Sequence, residues 1–184
     1  GLETSFFRFY NKEKNKKVVL NTAAVSILIS SFLFASIFSI FKINISHFTG
    51  ISTGYLSIIV WILVADALTV IPFAYLRLKG SAIKYSVVKI VNVIIYFSLN
   101  IFLLIFLKDL IHSYEIFESI YVENYEVAYI FIANLIASIS SLLLLLPFYF
   151  EINYKANIEL LKRMLAYGFP ILISGLAFTV NETF

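Results

Sequence analysis

Twelve of the fourteen Lys and Arg residues lie in three alternate gaps between five long apolar runs, and that alternation predicts a chain threaded repeatedly through a bilayer. The basic gaps hold Arg8, Lys12, Lys14, Lys16 and Lys17, then Arg77, Lys79, Lys84 and Lys89, then Lys155, Lys162 and Arg163. The intervening gaps hold only Lys42 and Lys108, a count of 5:1:4:1:3 along the chain. Short loops rich in Lys and Arg stay on the cytoplasmic side, so residues 1–17, 77–84 and 151–163 are expected there. With 61% hydrophobic and 14% charged residues, five such runs in 184 residues cannot all be the core of a soluble domain. The remaining chain is too short to cover them.

The runs extend from about Val18 to Phe41, Ile51 to Leu76, Tyr85 to Leu107, Val127 to Phe150, and Met164 onward. Each is long enough to cross as a helix, and the ten-residue alternation of a membrane barrel is absent. The expected fold is therefore all-α, a polytopic transmembrane helix bundle. Gly1 to Lys17 reads as a cytoplasmic loop, and Lys42 and His47 as a short outer loop. Pro72, Pro147, Gly168 and Pro170 read as helix breaks, and Glu151 to Arg163 as an amphipathic linker with Ile158, Leu161 and Leu165 on one side. The second outer gap is acidic, with Asp109, Glu115, Glu118, Glu123 and Glu126 against Lys108. The chain opens on Gly-Leu-Glu and closes in an apolar run, which is expected of the interior of a longer membrane protein.

The net charge of +3 does not imply nucleic acid, because the basic residues sit at span ends, where anionic lipid accounts for them. Cysteine is absent, so no thiolate nucleophile or Cys-based metal site is available. His47 and His112 are isolated, no Gly-rich phosphate loop is present, and the outer carboxylates lack an orienting partner. No cofactor or metal is expected, and an enzyme such as a membrane glycan polymerase or acyltransferase is the weaker reading.

Polar residues inside the spans carry the functional signal. Asp66 lies near the middle of the second run, where a carboxylate costs about 2.5–3.5 kcal/mol to insert and so faces a hydrated cavity or a partner. It either lines a transport path or pairs with Lys89 across the following turn. Tyr85, Lys89, Asn92, Tyr96 and Asn100 are spaced +4, +3, +4, +4 and fall on a strip roughly 80° wide. That strip is expected to face a watery interior, the alternative being interhelical hydrogen bonds of about 0.6 kcal/mol each. Thr22, Ser26 and Ser30, and Ala133, Ala137 and Ser141 beside Asn134 and Ser138, read as packing seams of small residues.

Three stretches resemble bacterial polysaccharide-biosynthesis proteins, oligosaccharide flippases of the superfamily that includes multidrug and toxic-compound extrusion transporters. They are Gly1 to Phe9 ahead of a span, Trp61 to Arg77 with Asp66 and Pro72, and Leu161 to Pro170 followed by Ser174-Gly175-Leu176 and Val180-Asn181-Glu182. The resemblance implies part of a two-lobe transporter of twelve to fourteen helices in a bacterial cytoplasmic membrane. Residues 1–150 would hold helices three to six of the first lobe, 151–163 the cytoplasmic inter-lobe linker, and 164–184 the start of helix seven. It implies a flippase for a polyprenyl-diphosphate-linked oligosaccharide working by alternating access, with membrane lipid around it and a proton or sodium ion for coupling. On that reading Arg8, Arg77 and Lys89 would meet the diphosphate, and Asn92, Tyr96 and Asn100 the sugars. A cation antiporter of the same fold and a lipid-II-type flippase are the rival transport readings.

Overall fold

The computed structural model describes residues 1–107 and 125–183, with side chains through residue 180. The acidic outer gap, with Lys108 and His112, lies outside the described residues, apart from Glu126. All the elements among the described residues are helical: α1 (Leu2–Lys12), α2 (Lys16–Thr49), α3 (Thr53–Leu78), α4 (Ala82–Ile101), α5 (Glu126–Glu151) and α6 (Ile158–Thr183). The π-helical turn Phe102–Phe106 extends α4 without a break. Five of these, α2 to α6, are long and apolar enough to cross a membrane, as the runs require.

Two turns are made by glycine in the left-handed region, Gly50 (φ 71°) after α2 and Gly80 (φ 66°) after α3. Because α2 runs on to Thr49, Lys42 and His47 are helical rather than in an outer loop. The Lys42 ammonium donates to Ser57 Oγ of α3 at 3.1 Å, a contact that a neighbouring helix supplies.

Residues 1–17 are not a loop either. In α1, Ser5, Phe6 and Phe9 are buried while Arg8 and Lys12 are exposed, the 3.6-residue pattern of a helix packed along one face. That face joins a core at the basic end of the bundle, where Phe6 and Phe9 meet Val19, Ala23, Ile71, Ala74, Leu160 and Met164. Gly168 permits the close approach of α6 to α1: a Cβ there would stand 2.6 Å from Ser5 Oγ and 2.9 Å from the Gly1 carbonyl oxygen. Ser5 Oγ donates to the Met164 carbonyl at 2.8 Å.

The linker also differs from its expected form. Its second half is the first turns of α6, and the buried positions are Leu160 and Met164, whereas Ile158 and Leu165 are exposed. Its extended part is held by α2, whose Asn21 Oδ1 and Thr22 Oγ1 accept from the backbone N–H groups of Asn153 (3.2 Å) and Asn157 (3.0 Å).

Pro72, Pro147 and Pro170 all lie inside continuous helices. A proline removes the bond to the carbonyl four residues back, and a membrane helix continues through it when that carbonyl finds another donor. For Pro72 the carbonyl is that of Leu68, and it accepts from the Tyr149 hydroxyl of α5.

Candidate functional site

The placement of α5 decides what the polar residues can meet. Tyr55 and Tyr75 of α3 contact Phe131 and Phe148 of α5, so these two helices run parallel. Val88 and Asn92 of α4 meet Leu145 and Ser141, so α4 runs antiparallel to α5. With α5 packed extensively on both, α3 and α4 touch each other much less. Small residues make this possible: Ala133, Ala137 and Ser141 are buried along α5, the seam expected of them.

Between the three helices lies a polar cavity of about 510 Å³. From α3 it is lined by Asp66, Thr69, Val70, Phe73 and Arg77; from α4 by Tyr85, Lys89 and Asn92; from α5 by Asn134, Ser138 and Ser141. Glu3 of α1 closes its edge. Asp66 falls midway along α3, and Thr69 Oγ1 donates to the Asp66 carbonyl at 2.8 Å.

No ion pair among the described residues joins Asp66 to Lys89; both side chains are exposed to the cavity side of the chain. The Lys89 ammonium stands over the Phe73 ring, 4.5 Å from its centroid. Arg77 instead pairs with Glu3 and lies between the rings of Phe7 (5.0 Å) and Tyr85 (5.7 Å). The lining holds Arg77 and Lys89 against Glu3 and Asp66, two charges of each sign, so it is balanced. Hydrogen-bonding groups make up most of the rest, and Asn92 Nδ2 donates to Ser141 Oγ at 2.9 Å.

The cavity thus collects Asp66, Arg77, Lys89 and Asn92 of the expected path residues. It does not include Tyr96, Asn100 or Arg8. Asn100 Nδ2 turns back to the Tyr96 carbonyl at 2.8 Å, and the Tyr96 ring packs edge-on against Phe97 at 5.8 Å. Arg8 projects from the other face of α1, its guanidinium 4.0 Å from the centre of the Tyr167 ring of α6.

Glu3, Thr69, Asn134, Ser138 and Ser141 line the cavity without having been singled out for it. The α5 residues carried a legible signal: Asn134, Ser138 and Ser141 are spaced +4, +3, like the strip on α4. Ser138 and Ser141, both buried, serve the packing seam and the cavity together. Glu3 had no such signal, because its place depends on α1 folding back onto α3. Comparison with family models, curated proteins and solved structures finds no match for this chain.

Proposed function

We propose that this chain is part of a flippase that moves a polyprenyl-diphosphate-linked oligosaccharide across the bacterial cytoplasmic membrane by alternating access. The observation that carries the reading is the cavity itself: a charge-balanced, hydrogen-bonding chamber between helices otherwise apolar enough for lipid. Groups of this kind are expensive in hydrocarbon and are kept where water or a polar cargo passes. Asn92, Asn134, Ser138 and Ser141 suit sugar hydroxyls, and Lys89, with no carboxylate partner among the described residues, suits a phosphate. Arg77 would reach a diphosphate on release from Glu3. The family resemblance adds the two-lobe architecture, in which 151–163 joins the lobes and a second wall completes the path.

A second reading rests on Asp66, a carboxylate in the same cavity with no ion-pair partner among the described residues. That is what an antiporter for small cations needs. Deleting the full gene separates the two. Lipid-linked glycan accumulating on the cytoplasmic face supports the flippase; normal surface glycan with drug sensitivity supports the antiporter. Complementation with Asp66→Asn and Lys89→Gln then tests the path, and full export by both variants at normal expression removes it.

A further inference from the structure

A second groove, of about 560 Å³, opens on the other side of the Phe73, Val88 and Leu145 cluster from the polar cavity. It lies at the basic ends of α3, α4 and α5, and its lining divides sharply by polarity. Val87, Val91 and Leu144 form an apolar trough, while Lys79 and Lys84 stand at the rim with Glu151 as the opposing charge. Val87 and Leu144 are about half exposed, so the trough faces outward from the three helices rather than into a core. We propose that this groove holds an anionic phospholipid of the leaflet at the basic end, with its phosphate between Lys79 and Lys84 and an acyl chain along the trough.

The match is one of chemistry and order along the membrane normal. A phospholipid presents its phosphate at the headgroup level and its chain deeper, and the groove presents ammonium groups at the ends of two helices and aliphatic side chains further in. Basic pockets between membrane helices at a cytoplasmic face are suited to such headgroups. Lys79 is held rather than free to wander: its ammonium stands 4.5 Å over the Tyr75 ring, itself part of the lining. The Tyr75 side chain beside it raises the Lys79 pKa above its ordinary value, outweighing a smaller opposing effect of burial. The inference rests on the membrane reading and not on the flippase, because neither lysine lines the polar cavity.

Native mass spectrometry of the full-length protein, delipidated and then titrated with phosphatidylglycerol or phosphatidylcholine of matched chains, tests it. Two lysines offset by Glu151 leave one net cation, which gives phosphatidylglycerol a preference of about fivefold. Lys79→Gln with Lys84→Gln is expected to abolish that preference, and Glu151→Gln to raise it. Equal binding of the two lipids, or a preference that the paired lysine substitutions leave intact, would overturn the proposal. So would tighter binding of a polyprenyl phosphate than of phosphatidylglycerol, which would assign the groove to cargo. Both lysines are exposed, so the variants keep their fold, and unchanged glycan export by them leaves the flippase reading standing.

Discussion

The Tyr149 hydroxyl donates to the Leu68 carbonyl, the very group that Pro72 leaves without its helical partner. One hydrogen bond therefore satisfies the carbonyl that the proline strands and ties α3, the helix that carries Asp66 to the cavity, to α5. Pro72 is fully buried, so water is a poor substitute donor at this point.

Tyr149→Phe is expected to destabilise the protein by about 1 kcal/mol, the scale of one hydrogen bond whose loss strands a buried acceptor. Adding Pro72→Ala restores a backbone N–H for Leu68 and should recover most of that loss. Unfolding in mixed micelles measures both. Equal losses from Tyr149→Phe with and without the proline would show that the hydroxyl acts elsewhere.

Gly168 and Gly175 share α6 but differ in what a methyl group meets. Gly168→Ala drives its Cβ against the Gly1 carbonyl and Ser5 Oγ, and is expected to cost about 1–3 kcal/mol as α1 is pushed off α6. Gly175→Ala meets nothing within 4 Å and should be neutral, or stabilising by up to about 1 kcal/mol through helix propensity. Thermal melting of the two variants side by side is the check.

Asp66 and Lys89 share a cavity without an ion pair. Asp66→Asn and Lys89→Gln should each shift stability by less than about 0.5 kcal/mol, and their double-mutant coupling should be near zero. A coupling above about 1 kcal/mol would restore the structural ion pair as the reason for both residues.

Arg77 has two kinds of partner, the Glu3 carboxylate and the rings of Phe7 and Tyr85. The ion pair is well exposed, so Glu3→Gln is expected to cost at most about 1 kcal/mol. Arg77→Lys keeps the charge but loses the planar group that lies against two rings, and should cost more than Glu3→Gln. Proteolysis near residues 11–15 in the two variants would report how firmly α1 stays docked.

Because the chain contains no cysteine, its threading can be read by single substitutions. Lys14→Cys, Lys79→Cys and Lys155→Cys should react with an impermeant maleimide from the same side, and His47→Cys from the other. His47 lies at the far end of α2 from Lys16, so one helix crossing separates the two sides.

The all-helical fold and the five helices long and apolar enough to cross a membrane were legible in the amino acids alone, although α2 runs eight residues past its expected end and α6 begins six residues before its expected start. A helix in hydrocarbon must satisfy its own backbone over about twenty apolar residues, and flanking charge biases orientation locally, so neither property depends on distant parts of the chain. Asp66 and the strip from Tyr85 to Asn100 were visible for the same reason, since polarity inside a span is anomalous wherever its neighbours lie, but only Tyr85, Lys89 and Asn92 of that strip line the cavity. Tertiary structure decided everything that depends on pairing. Periodicity shows that a helix has a polar face but not which helix meets it, and in lipid no hydrophobic drive selects the partner, only close packing and a few hydrogen bonds. Hence the packing of α5 against both α3 and α4, which brings Asn134, Ser138 and Ser141 to the cavity that Asp66 and Lys89 share, was not written in any one segment. Nor was the folding of residues 2–12 into a helix that sets Glu3 on Arg77: a short amphipathic stretch is helical only when other helices cover its apolar face.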